Sequence, residues 1–253
     1  EKGIEGLIHA NRGRASPRRT KDSLRDTIDY LYQEKYTGFN ISHFTEMLQE
    51  REEIFMSRET VRGILLEKGS YEKKKKYPKH RSWREPMPKE GMMIQFDTSD
   101  HDWLEGRGPK MKLIGGIDDA SKDVPWAQFA YHDSVKENMA VLKEIVKRKG
   151  IPLSLYVDKD SKFITTRHGG LHVNIKRDQQ KTQMQRAWDE LGINVIYAES
   201  PQAKGRIERL WGTFQDRLIS ELRLEGVCSL GEANRYLHTL YSCPGTTKSS
   251  SGS

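Results

Sequence analysis

Ser200 to Leu218 reads SPQAKGRIERLWGTFQDRL, a Pro- and Gly-marked loop that turns into an amphipathic helix. Ile207, Leu210, Trp211, Phe214 and Leu218 recur at steps of three and four and so share one helical face. At about 100° per residue, Glu208 falls on the edge of that stripe. A carboxylate there turns toward a groove beside the core while its helix stays anchored. Arg206, Arg209 and Arg217 lie farther round, toward solvent or a polyanion. Taken alone, Glu208 is an ordinary surface acid that pairs with Arg209 or Lys204; two acids upstream change that reading.

The chain before this helix is strand-rich. Met92 to Asp97, Met111 to Ile117 and Trp126 to Tyr131 read as three strands with turn-rich connections, an antiparallel meander. A helix follows from about Val135 to Lys149, with Met139, Leu142, Ile145 and Val146 on one face and Gly150 as its stop. Leu153 to Val157 is a short apolar strand. A helix carrying Met184, Ala187, Trp188 and Leu191 ends at Gly192, and Asn194 to Ala198 is the fifth strand. The pattern predicts an α/β domain with a mixed five-stranded sheet flanked by helices.

Asp97 and Asp158 both stand where apolar strands are expected to end, the place where open α/β sheets hold ligands. If those strands are neighbours, the two carboxylates lie within reach of one cation, and the helix bearing Glu208 supplies a third. Three acids without clustered Cys or His suit Mg²⁺ or Mn²⁺, and a pair of such ions suits in-line phosphodiester displacement. Asp at a strand end is also a common turn former. Asp100, Asp102, Asp118 and Asp119 are therefore competitors. Asp97 is preferred over Asp100 and Asp102 because it closes the apolar strand, and Asp118 and Asp119 are read as holding a loop or as supporting the site from behind its ligands.

The 253 residues carry 43 Lys and Arg against 36 Asp and Glu, a net charge of +7 that favours a polyanionic partner, nucleic acid first. No apolar run approaches the roughly 18 residues of a membrane span. Cys228 and Cys243 have neither metal-ligand spacing nor a disulfide framework, which fits a reducing cytoplasm. The chain starts at Glu1 and not at Met, as expected of a piece of a longer protein.

Residues 1–20 read as a basic arm or linker. Helices are predicted over roughly Lys21 to Glu34, Ser42 to Glu50 and from an N-cap at Ser57 to a stop at Gly69. Three short helices within residues 21–70, the last presenting Arg58, Thr60 and Arg62, suit a helix-turn-helix DNA-binding module; a generic helical bundle fits the periodicity equally well. Residues 71–90 form a basic linker. Within it, Lys73 to Arg84 holds seven Lys and Arg and no acid, beginning with Lys73, Lys74, Lys75 and Lys76. It reads as a solvated linker or as a tether along a DNA backbone.

Five blocks carry a resemblance: QFDTSDHDWLEGRGP (Gln95 to Pro109), IDDAS (Ile117 to Ser121), YVDKDSKF (Tyr156 to Phe163), ELGINVIYAESPQAKGRIERLWGTFQDRL (Glu190 to Leu218) and ELRL (Glu221 to Leu224). From about Gly6 to Leu237 the chain resembles bacterial insertion-sequence transposases of the ISNCY type, members of the DDE group with a retroviral-integrase-like, RNase H-like core. The resemblance implies an integrase catalytic core over residues 91–225 and places the three catalytic, metal-holding acids on Asp97, Asp158 and Glu208. It further implies two Mg²⁺ (or Mn²⁺) ions, cleavage of transposon ends followed by strand transfer to target DNA, and contacts to DNA from Lys204, Arg206 and Arg209 and from the N-terminal helices. A homo-oligomer on double-stranded DNA in the bacterial cytoplasm, associated with the nucleoid, is implied as well. After Leu237 the tail TLYSCPGTTKSSSGS departs from the family pattern, so residues 226–253 read as a truncated C-terminal segment. The alternative function is that of a catalytically incompetent DNA-binding protein that occupies transposon ends.

Overall fold

The computed structural model describes residues 19–72, 85–164, 181–198 and 205–242. The chain divides into two compact units, Glu1–Lys76 and Tyr77–Ser253, and the division falls inside the expected basic linker.

The first unit consists of three helices, α1 (Asp22–Glu34), α2 (Ile41–Arg51) and α3 (Arg58–Lys68). Their starts follow local chemistry: the Asn40 side chain accepts from the His43 amide at 2.9 Å and Ser57 Oγ from the Thr60 amide at 3.2 Å, each satisfying an orphan N–H of a first turn. Gly69 ends α3 at φ 80°, a left-handed conformation that favours glycine. Ile28, Tyr36, Phe44, Leu48, Val61 and Leu65 are fully enclosed. The three helices thus pack around a core of their own. The α2–α3 connection, residues 52–57, exceeds the roughly three- to four-residue turn usual in helix-turn-helix motifs.

The second unit is built on a five-stranded sheet of order β3-β2-β1-β4-β5, with β1 (Ile94–His101), β2 (Met111–Asp118), β3 (Trp126–Ala130), β4 (Ser154–Val157) and β5 (Asn194–Tyr197). The first three strands pair antiparallel; β4 and β5 join β1 in parallel. This is the mixed sheet of an RNase H-like fold. Strand alternation sorts the core into two layers. Ile94, Phe96, Ile114, Leu155 and Val157 pack with α4 (Val135–Lys149) and α5 (Gln183–Glu190). Met111, Leu113, Ile117, Ala127 and Phe129 pack with α6 (Gly205–Leu224) and α7 (Leu230–Ser242).

Helix α7 corrects the expectation of a mere truncated segment after residue 225. Ala233 and Leu237 are fully buried. The Asn234 side chain accepts from Phe129 N at 2.8 Å and donates to Phe129 O at 3.0 Å, so one amide stands in for the missing neighbour along edge strand β3.

The EGRG block fastens the far end of α6. Arg107 Nη1 donates to Leu222 O at 3.2 Å and Val227 O at 3.1 Å, and Glu105 pairs with Arg223 at 2.9 Å. Gly108 packs against the Cys228 backbone so closely that a Cβ would overlap it.

Candidate active site

Strand β1 does not end at Asp97. It runs on to His101 because β2 keeps pairing with it as far as Met111, whereas β4 stops at Val157. Asp97 therefore sits in mid-strand, just beyond the last residues of β1 that pair with β4.

That position matters for Asp158. The parallel register aligns Ile94 with Leu155 and Gln95 with Tyr156; continued two residues beyond the paired stretch, the same register would bring Asp158, the first residue after β4, level with Asp97. Adjacent strands lie about 4.8 Å apart, and residues at one level of a parallel pair point to the same face. Both acids are half-buried. Asp158 Oδ1 accepts from the Asp160 amide at 3.2 Å, which holds the turn after β4.

The shared face is the one covered by α6. Odd-numbered β1 residues form a polar seam against that helix: Gln95 Oε1 accepts from Ile207 N at 3.2 Å, Asp97 Oδ2 from Trp211 Nε1 at 3.1 Å, and Ser99 Oγ from Gln215 Nε2 at 3.1 Å. Two strand residues rise about 6.6 Å and four helix residues about 6 Å, so the contacts stay in step. Glu208 lies in the first turn of α6, between the first two contacts of the seam, with its side chain exposed.

The competing acids separate cleanly. Asp100 has the opposite strand parity and pairs with Lys112 at 2.9 Å; Asp102 accepts from Gly106 N at 3.2 Å in the turn after β1. Asp118 is buried and accepts from Ala120 N and Ser121 N, both at 2.9 Å, and from Gly91 N at 2.8 Å. Asp119, fully buried, accepts from Met87 N and Gln95 Nε2, each at 2.7 Å, and pairs with Arg206. Both acids hold loops, as expected.

Arg206 is a correction. Its side chain is 14% exposed and turned inward onto Asp119, because a buried carboxylate needs a countercharge more than a surface arginine needs solvent. Arg209 is exposed. In α3, Arg58 and Arg62 both reach Glu59, at 3.3 and 3.1 Å, and Thr60 Oγ1 lies 2.8 Å from Ser57 Oγ. Lys73, Lys74, Lys75, Lys76 and Lys204 lie outside the described residues.

Among the described residues, no three His, Cys, Asp or Glu side chains already form a cluster able to hold a metal ion. The donor chemistry nevertheless fits a hard cation: two carboxylates at one sheet level and a third on the covering helix, all oxygen ligands. Without a cation, carboxylates at such spacing repel.

Sequence reasoning named Asp119 but missed the framework it belongs to: Gln95, the inward-turned Arg206 and the indole N–H of Trp211. A signal for it was present: along IQFDTS the polar Gln95, Asp97 and Ser99 alternate with Ile94, Phe96 and Thr98, which calls for a polar partner on the facing element.

No protein-family model matches the chain. It is 34% identical to a Sinorhizobium fredii protein assigned as the transposase y4bF, over 93% of this chain and 50% of the relative. It is 32% identical to the transposase for insertion sequence IS1202 of Streptococcus pneumoniae, over 94% of this chain and 57% of the relative. This chain is a relative of insertion-sequence transposases. It spans about half the length of the transposases it matches. Among solved structures, it is similar to the HTLV-2 integrase catalytic core domain in complex with magnesium (18% identity, 63% of this chain and 90% of that one, TM-score 0.46). It is also similar to a chain of the simian T-cell lymphotropic virus intasome (15% identity, 84% and 67%, TM-score 0.48).

Proposed function

We propose that the chain is the DNA-cleaving and DNA-joining part of a transposase, with Asp97, Asp158 and Glu208 as its catalytic acids. The observation that supports this reading is the parallel register of β1 and β4, Gln95 beside Tyr156, which leaves Asp97 and Asp158 each two residues beyond the same paired level, with Glu208 in the first turn of the helix covering Asp97. The naming of its relatives as transposases supports the same reaction class.

Asp97 and Asp158 would hold two divalent cations, Mg²⁺ or Mn²⁺, from the sheet, and Glu208 would complete the oxygen set from α6. When bound, such ions supply the positive charge that activates an attacking oxygen and stabilises the leaving one. Water breaks a phosphodiester bond at the transposon end and frees a 3′-hydroxyl. That hydroxyl then attacks a target phosphodiester, so one P–O bond forms as another breaks.

Arg209 and Lys204 flank Glu208 in sequence and would hold the DNA backbone near the scissile phosphate. Arg206 takes part indirectly, by fixing the start of α6. Arg58, Thr60 and Arg62 on α3 would face a DNA groove, and Lys73, Lys74, Lys75 and Lys76 would contact DNA phosphates. Joining two ends to one target implies a homo-oligomer assembled on DNA.

A strand-transfer assay on oligonucleotides carrying the transposon end, in Mg²⁺ or Mn²⁺, tests this. Joined products that vanish in Asp158→Asn, with DNA binding retained, are the expected result. Binding without cleavage by the wild-type chain overturns the enzyme reading in favour of an end-occupying protein. Cutting without joining makes it a nuclease.

A further inference from the structure

Four tryptophans of the second unit lie in described regions, and all four, Trp103, Trp126, Trp188 and Trp211, are almost fully enclosed in its core layers. Among the described residues, the indole nitrogens of Trp103 and Trp188 are buried without a hydrogen-bond partner. These two rings serve the core by volume alone. Trp211 differs: its ring packs in the α6 layer, 5.9 Å from Phe214, while its Nε1 donates to Asp97 Oδ2 at 3.1 Å.

We infer that Trp211 is a positioning residue for the catalytic carboxylate of Asp97, holding it in one rotamer so that it presents a fixed oxygen toward Asp158. The inference rests on the proposed role of Asp97. Three features support it. An indole is a donor only, so it stabilises the ionised carboxylate without offering it a proton. The ring cannot swing, because it is 5% exposed and wedged among apolar side chains. The helix cannot slide, because the same seam is pinned on either side by Gln95 with Ile207 and by Ser99 with Gln215, and its first turn is tied to Asp119 through Arg206.

The seam thereby does two things at once. It sets the carboxylate of Asp97, and it sets the height of α6, on which Glu208 rides three residues before Trp211. A phenylalanine fills nearly the same volume but cannot donate. Trp211→Phe should therefore leave packing largely intact and remove the indole donor from Asp97 Oδ2. Partners that orient metal-holding groups typically contribute about 10- to 100-fold to metal affinity.

The test is Mn²⁺ binding by calorimetry to the wild-type chain and to Trp211→Phe, Asp97→Asn and Asp158→Asn, with thermal unfolding and the indole ¹H–¹⁵N resonances recorded alongside. Trp211→Phe is expected to bind Mn²⁺ about 10- to 100-fold more weakly, and to add nothing in an Asp97→Asn background. In the wild-type chain, one indole resonance should be shifted by Asp97→Asn and selectively broadened by Mn²⁺. A Trp211→Phe protein that binds Mn²⁺ like wild type overturns the inference; should that variant not fold, the absence of an indole resonance responding to both perturbations does so. If neither aspartate variant changes Mn²⁺ binding, the carboxylate site itself is wrong and the inference falls with it. If both do and Trp211→Phe does not, only the positioning role fails.

Discussion

Arg206 closes an ion pair on Asp119, a carboxylate with no solvent exposure. The same carboxylate receives the Met87 amide and the Gln95 side chain, so one buried acid joins the segment entering the second unit, the central strand and the start of α6. The candidate catalytic helix is thus positioned by residues that take no part in chemistry.

Asp119→Ala removes the acceptor of three donors in a site closed to water. Breaking a buried pair from one side costs about 3–5 kcal/mol. Urea denaturation of the second unit should show a loss of that order, and a loss below about 1 kcal/mol would falsify the anchoring role.

The loop after Asp158 depends on Lys162. Its side chain is 10% exposed and its ammonium reaches Asp133 at 2.6 Å and Asp160 at 3.1 Å, with Asn138 also donating to Asp133 at 2.6 Å. Burial opposes the charge on Lys162, but the two carboxylates outweigh it and hold its pKa above the ordinary lysine range. Lys162→Met should cost about 3 kcal/mol. Combined with Asp133→Asn, it should cost less than the sum of the two, since residues in contact couple; additive losses in the four-corner comparison would contradict the pairing.

Arg107 is not replaceable by lysine. A single guanidinium nitrogen, Nη1, serves Leu222 O and Val227 O together and is carried on a rigid planar group, whereas a lysine ammonium sits at the end of a flexible stem. Arg107→Lys is expected to destabilise by about 1–2 kcal/mol and to speed amide exchange in the turn between α6 and α7. Unchanged exchange there would show that the turn holds without it.

Acid should loosen α7 at His238. Its ring stacks 4.3 Å from Trp126, and Arg148 lies 4.0 Å over the same indole. Burial first, and then Arg148, lowers its pKa below the ordinary 6.5, with Glu144 opposing. The unfolded chain therefore binds this proton more readily than the folded one, so stability is complete above pH 6.5 and falls as pH drops through the folded value. Denaturation midpoints at neutral and mildly acidic pH should differ, and His238→Gln should flatten that difference. A slope unaffected by the substitution would assign the acid sensitivity elsewhere.

Much of the architecture was legible because the signals are local. Ser57 and Gly69 bound α3, and Ser134 and Gly150 bound α4, through hydrogen bonds and backbone angles within a few residues. The strands of the second unit begin within two residues of where alternation places them. The misreadings arose where a distant partner decided. The end of β1 depends on how far β2 extends, so Asp97 moved from a strand end to mid-strand. Arg206 was read by helical angle as solvent-facing, and only the burial of Asp119 turns it inward. Helix α7 went unread because its register against β3, through Asn234, is a contact 105 residues away in sequence.

By itself, the sequence determined which residues can form helices and strands, since periodicity and capping are written in the chain within a turn or two, and it nominated Asp97, Asp158 and Glu208 as the acids that matter. Only the tertiary structure decided that the strands leading to Asp97 and Asp158 are parallel neighbours, that Asp100 pairs with Lys112, and that Trp211 and Asp119 tie α6 to the sheet. Those relations follow from strand register and from where buried charge finds its partner. Both are settled by the packing of segments far apart in the chain, which no local window contains.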